Sequence, residues 1–207
     1  DAEADPIMHV TRSFDINAPG TTPDKLRGGV IGGSLMQGKL KVGDEIEVVP
    51  GRRVEAAGKV TYERITAKVI SLNAGDKSVK EVLPGGLIAI GTELDPATTK
   101  SDGVTGRVSG IPGKLPPVVS SFKMKTVLLD RVVGSTADLV VDEIKSNEPL
   151  MLSVGTATTV GLVKSAARGY ADVVLKLPVC ILPGQRVAIS RRISNKWRLI
   201  GYGIIDQ

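Results

Sequence analysis

The sequence predicts an all-β protein built as two consecutive β-barrels. Short runs with alternating apolar and polar residues recur along the whole chain, most of them bounded by Gly, Pro, Asn or Asp, while helical periodicity is scarce. Glycine is frequent, 24 of 207 residues, which suits the bulges and corners that let a sheet close. The segment Ile111–Pro117, IPGKLPP, holds three prolines and a glycine in seven residues and cannot continue a central strand. It divides the chain into residues 1–112 and 113–207, each of ordinary single-barrel size.

In order, the first half carries strand-like runs at Met8–Ile16, Gly29–Met36, Glu45–Val49, Thr66–Leu72, Leu87–Thr92 and Val104–Ser109. The second half carries them at Phe122–Leu129, Leu150–Val154, Thr158–Ser165, Ala171–Leu175, Arg186–Ser190 and Trp197–Ile204. In Glu45-Ile46-Glu47-Val48 the period of two sends acids and aliphatics to opposite faces.

Composition removes several chemistries. The single Cys180, in LPVCIL, can form no internal disulfide and reads as a small buried hydrophobe. With one His and one Cys, no zinc site of Cys and His ligands can be assembled. A Ser–His–acid triad would need His9, and no nucleophile elbow partners it. No catalytic residue and no metal ligand is therefore expected. No run of 18 apolar residues is present, so no helical membrane span is expected. The acidic start DAEADPIMHV is not a signal peptide and reads as a cut point inside a longer protein. Net charge is +5 with pI about 9.4, a moderate basic bias compatible with an acidic partner. Aromatic residues are only 3%, too few to expect a base-stacking platform.

Residues 33–40, GSLMQGKL, match G-x-x-x-x-G-K, but Leu40 stands where a phosphate loop needs the Ser or Thr hydroxyl that binds Mg²⁺. The following KLKVGDEIEVV alternates as a strand, whereas the motif must open a helix. No GTPase site is expected in this chain. Arg27-Gly28-Gly29-Val30-Ile31-Gly32-Gly33 sets an arginine beside two glycine pairs. Glycines there serve barrel-corner packing or the close approach of a ligand, and Gly85-Gly86 carries the same two readings. Asp130-Arg131 is expected to fix a turn or a local ion pair, and Gly155–Thr159 to form a turn.

The C-terminal stretch SRRISNKWRLIGYG gathers Arg191, Arg192, Lys196 and Arg198 around the only tryptophan, Trp197. From Arg186 to Arg198 there are five basic residues and no acidic one. Ile193, Trp197, Leu199 and Tyr202 place this charge on folded structure. It serves phosphate contacts or simply the wet face of a strand.

At RSFDINAPGT…LRGGVIGGSLMQGKLKVGDEIEVVPG the sequence resembles the gamma subunit of translation initiation factor 2 of archaea and eukaryotes. The resemblance runs on through PGGLIAIGTELDP, TGRVSGIPGKLPP, LLDRVVG, LMLSVGTATTVG, LKLPVC and AISRRISNKWRLIGYG, nearer to the archaeal form. It implies two barrels of the elongation-factor-like type, the family's domains II and III, without the GTP-binding domain that precedes them. It further implies a cytoplasmic heterotrimer subunit working in protein biosynthesis at the small ribosomal subunit. GTP and Mg²⁺ would belong to the absent domain, so no cofactor is expected in this chain. Initiator methionyl-tRNA binds when GTP is present, the alpha subunit docks on domain II, here residues 1–112, and the beta subunit docks through the absent domain. By the elongation-factor pattern, Phe14 in SFDI and Arg27 in LRGG occupy the places that face the tRNA 3′ end, with Gly28 and Gly29 leaving room beside them. The loop Asn17–Leu26 is longer than in that pattern, so Arg27 transfers more securely than Phe14. The basic C-terminal cluster is a second RNA surface in this view, or else holds domains together.

Three functions are open to such a chain. A tRNA- and subunit-binding fragment of an initiation GTPase fits best. An enzyme in its own right lacks every catalytic constellation named above. A barrel pair used only for protein docking would differ from the first in its insensitivity to salt.

Overall fold

A computed structural model describes residues 1–182 and 184–206. The chain forms two compact units, Asp1–Leu115 and Pro116–Gln207. The change of unit falls within the proline-rich segment, where missing N–H donors interrupt sheet pairing.

The first unit contains β1 (Ile7–Phe14), β2 (Val30–Gln37), β3 (Leu40–Lys41), β4 (Glu45–Ala56), β5 (Lys59–Ala74), β6 (Lys77–Val79), β7 (Glu81–Val82), β8 (Leu87–Thr92), the one-turn helix α1 (Pro96–Thr99) and β9 (Val108–Gly110). Six of these strands close a barrel in the order β4-β9-β1-β2-β8-β5, sealed by β4 against β5, with all pairings antiparallel. Period-two patterning builds its core. Met8 and Val10, Ile46 and Val48, and Ile88 and Ile90 point inward and are buried, joined by Ile31, Leu35, Val69 and Leu72. Each such side chain contributes about 1.5–3 kcal/mol.

The second unit contains β10 (Val118–Leu128), β11 (Pro149–Val154), β12 (Ala157–Ala167), β13 (Tyr170–Cys180), β14 (Arg186–Ile193) and β15 (Lys196–Asp206). They form a closed barrel in the order β10-β13-β12-β11-β14-β15. Its core holds Phe122, Met124, Leu150, Leu152, Val173, Val187, Ile189 and Ile200. Both barrels are those expected of an all-β, translation-factor-like chain.

Each run read from the sequence lies on a barrel strand, but several boundaries differ. Val104–Arg107 is a turn, and β9 begins only at Val108. Thr158–Thr159 belongs to β12, so the turn after β11 is confined to Gly155 and Thr156. β4 and β5 run far past the predicted strand ends as a two-stranded ribbon, paired from Arg52↔Glu63 to Ala56↔Lys59. Its turn residues Ala57 and Gly58 both have positive φ, 52° and 74°. The ribbon's residues are mostly exposed, so no apolar alternation marks it in the sequence. Arg131 pairs with Asp138 at 3.4 Å, not with its neighbour Asp130. Among the described residues, no helix is long and apolar enough to cross a membrane.

Candidate nucleic-acid interface

The end of β1 and the loop that follows it carry Phe14 and Arg27. Phe14 is exposed, and the Arg12 guanidinium carbon lies 5.3 Å from its ring centre. Arg12 Nε donates to Asp102 Oδ1 at 2.9 Å, and the Ser13 amide donates to the same oxygen at 3.0 Å. The bond from the Ser13 amide, followed by that from Arg12, holds the Asp102 carboxyl below its ordinary pKa. Thr99, fully buried at the end of α1, donates from Oγ1 to the Phe14 carbonyl at 2.7 Å. These bonds fix the exit of β1 before the loop begins.

The loop returns to the barrel at Arg27. There the Asn17 side-chain amide pairs with the Arg27 backbone in both directions: Arg27 N–H donates to Oδ1 at 2.7 Å, and Nδ2 donates to Arg27 O at 2.8 Å. Asp15 Oδ1 accepts from both the Asn17 backbone N–H at 2.9 Å and Nδ2 at 2.7 Å. Those bonds, the backbone one foremost, lower the Asp15 pKa. The Arg27 side chain is exposed and has no ion-pair or hydrogen-bond partner among the described residues. The role of Asn17 was not legible in the sequence, since the pairing spans ten positions of irregular chain.

Two clefts flank this loop. One, of about 560 Å³, is lined by Arg12, Phe14, Asn17, Lys100 and Asp102. The other, of about 570 Å³, is lined by Ile16, Leu26, Arg27, Gly28, Val30, Ile70, Ser71 and Glu93. Leu26 borders both. Phe14 and Arg27 therefore open onto different clefts. Around the second, Ile16, Leu26 and Ile70 are 52%, 46% and 49% exposed, an apolar rim that no part of this chain covers among the described residues.

At Gly28 and Gly29 the barrel occupies the direction a side chain would take. A Cβ on Gly28 would overlap the Thr92 carbonyl oxygen, and one on Gly29 would overlap the Thr99 side chain. The space on their Cα faces is thus filled by the barrel itself. Gly85 and Gly86 differ: nothing lies near them, and their φ values of 108° and 75° show that the turn geometry requires glycine.

The four basic residues near the C-terminus lie on the β14–β15 hairpin, with Arg191 opposite Arg198 and Arg192 opposite Trp197. The structure divides them. Arg191 forms an ion pair with Glu148 and donates to the Asp142 carbonyl at 3.0 Å and the Glu143 carbonyl at 3.3 Å. Arg198 donates to the Gly134 carbonyl. Both hold the long connection between β10 and β11. Arg192 and Lys196 are exposed and have no side-chain partner among the described residues.

No group of three or more His, Cys, Asp or Glu that could hold a metal is found among the described residues. Burial pushes the Cys180 thiol up to about 12 and lowers the pKa of His9. Gly33–Gln37 of the GSLMQGKL segment is strand β2, with no helix following it.

Residues 120–205, within the second barrel, match the family described as "Initiation factor eIF2 gamma, C terminal". The chain is 58% identical over 198 residues to translation initiation factor 2 subunit gamma of Methanothermobacter thermautotrophicus, covering 96% of this chain and 48% of that protein. It is 55% identical over 207 residues to the subunit of the same name from Pyrococcus horikoshii, covering 100% and 50%, and 51% identical over 206 residues to that of Methanocaldococcus jannaschii, covering 100% and 50%. The chain spans about half the length of these relatives. With identity above one half along nearly every residue, the chain belongs to the gamma-subunit family of translation initiation factor 2, in its archaeal form.

Proposed function

We propose that the first barrel receives the 3′ end of initiator methionyl-tRNA in the cleft beside Arg27. The carrying observation is an unpartnered guanidinium at the edge of an uncovered apolar cleft. Ile16, Leu26, Val30 and Ile70 offer surface for the face of an unstacked base, and the exposed Ser71 and Glu93 offer polar atoms for its edge. Arg27 suits the adjoining phosphate, because its planar fork binds two oxygens at once. Phe14 lies across the loop in the neighbouring cleft, so its contribution is a separate one.

Family membership supports the rest of the reading. The first barrel acts as domain II and carries the docking surface for the alpha subunit, and the second acts as domain III. Guanine nucleotide with Mg²⁺, and the beta subunit, engage a domain beyond these 207 residues. The assembled factor works in the cytoplasm on the small ribosomal subunit.

The test is binding of initiator methionyl-tRNA to full-length gamma subunit assembled with alpha, beta and GTP. Arg27→Ala should weaken it by about 1–3 kcal/mol, the scale of a lost hydrogen bond to a charged group. Unchanged affinity, with Arg192→Ala abolishing binding in a folded protein, would move the RNA surface to the second barrel. Affinity independent of salt concentration would favour protein docking alone.

A further inference from the structure

We propose that Asn17 is the positioning residue for Arg27, closing the loop between them so that the guanidinium is held at the edge of its cleft. The inference rests on the reading of Arg27 as an RNA contact and goes beyond it, because Asn17 itself opens onto the other cleft. Among the described residues, the hydrogen bonds that join the two ends of this loop are both made by the Asn17 amide. The remaining bonds within it are local: Thr21 N–H and Oγ1 to Ala18 O, Lys25 N–H to Thr22 O and Leu26 N–H to Pro23 O. Both donor hydrogens of the Asn17 side chain and its acceptor oxygen are engaged. One Nδ2 hydrogen serves Arg27 O, the other serves Asp15 Oδ1, and Oδ1 accepts from Arg27 N–H.

This arrangement acts as one rung of a β-ladder supplied by a side chain. It orients the Arg27 peptide on both sides of its Cα, and so sets the direction in which the side chain leaves the loop. Asp15, held by Asn17 in turn, fixes which way the amide faces. An aspartate is almost the same size but cannot take the place of Asn17. It has no donor for Arg27 O, and its charge would stand against the Asp15 carboxylate.

The experiment measures initiator methionyl-tRNA affinity against salt for full-length gamma subunit in the assembled factor with GTP. The variants are Asn17→Asp, Asn17→Ala, Arg27→Ala and the two double variants. Thermal unfolding confirms that each is folded. If Asn17 acts through Arg27, Asn17→Asp weakens binding roughly 5- to 20-fold, and by no more than Arg27→Ala itself. The slope of log affinity against log salt then falls by about 0.7, the share of one single-strand phosphate contact, as it does for Arg27→Ala. In the Arg27→Ala background the Asn17 changes add less than about a twofold effect, the non-additivity expected of coupled residues. An effect of Asn17→Asp that persists undiminished in that background overturns the proposal, as does a weakening that leaves the salt slope unchanged. An effective Arg27→Ala with silent Asn17 variants overturns the clamp and leaves the RNA reading standing. A silent Arg27→Ala overturns that reading and the clamp's purpose together.

Discussion

Arg191 and Glu148 form an ion pair in which both side chains are only 17% exposed, whereas the other recorded pairs each include a side chain more than 40% exposed. Arg191 Nε donates to Glu148 Oε1 and Nη2 to Glu148 Oε2 at 3.2 Å, while Nη1 donates to the Asp142 carbonyl and Nη2 also to the Glu143 carbonyl. One guanidinium thereby ties β14 to the connection that leads into β11.

Removing one partner of this pair leaves a shielded charge without its counterion. Glu148→Gln or Arg191→Ala is expected to destabilise the second barrel by about 2–3 kcal/mol, below the cost of a fully buried pair because some solvent remains. Arg192→Ala, exposed on the same hairpin, should stay within about 0.5 kcal/mol of the native protein. Denaturant unfolding of the three variants gives the comparison. Equal effects would show that the hairpin's charges are interchangeable.

Gly29→Ala is expected to destabilise the first barrel by about 1–3 kcal/mol through overpacking. The added methyl would meet the side chain of Thr99, which is fully buried and bonded to the Phe14 carbonyl, so it cannot swing aside without loss. Chemical unfolding measures the cost directly. A stable Gly29→Ala protein with weakened tRNA binding would return the glycine to a ligand-facing role.

His9 sits on β1 between Ser34 of β2 and Val108 of β9, and burial lowers its pKa from 6.5. The unfolded chain therefore binds this proton more readily than the folded one. Stability from this residue is complete above about pH 6.5 and is lost as pH falls from there toward the lowered folded value. Denaturation midpoints measured from pH 7 to pH 5 should decline for the native chain and remain flatter for His9→Gln. The two profiles should run parallel only in more acidic solution, where carboxylates titrate in both.

The barrels were legible because a strand's period of two is local: Ile46 and Val48, or Leu150 and Leu152, announce an inward face within a few residues. The proline-rich segment was legible for the same reason, since a missing N–H acts on its own neighbours. Membership of the initiation-factor family was also written in the order of local motifs. The β4–β5 ribbon was not, because strands exposed on both faces leave no apolar period to read.

Pairings across the chain were decided only by the tertiary structure. Arg191 and Arg192 are adjacent and chemically identical, yet one meets a carboxylate 43 positions away and the other meets water. What stands against Gly28 and Gly29 became visible only when the fold brought Thr92 and Thr99 beside them. Asn17 had no distinguishing neighbour until the loop closed on Arg27. Sequence by itself determined which residues face a core, a property of each strand taken alone. Which charges are neutralised, which glycines are filled and which arginine stands free depended on closure of the barrels, because those properties belong to pairs that only folding brings together.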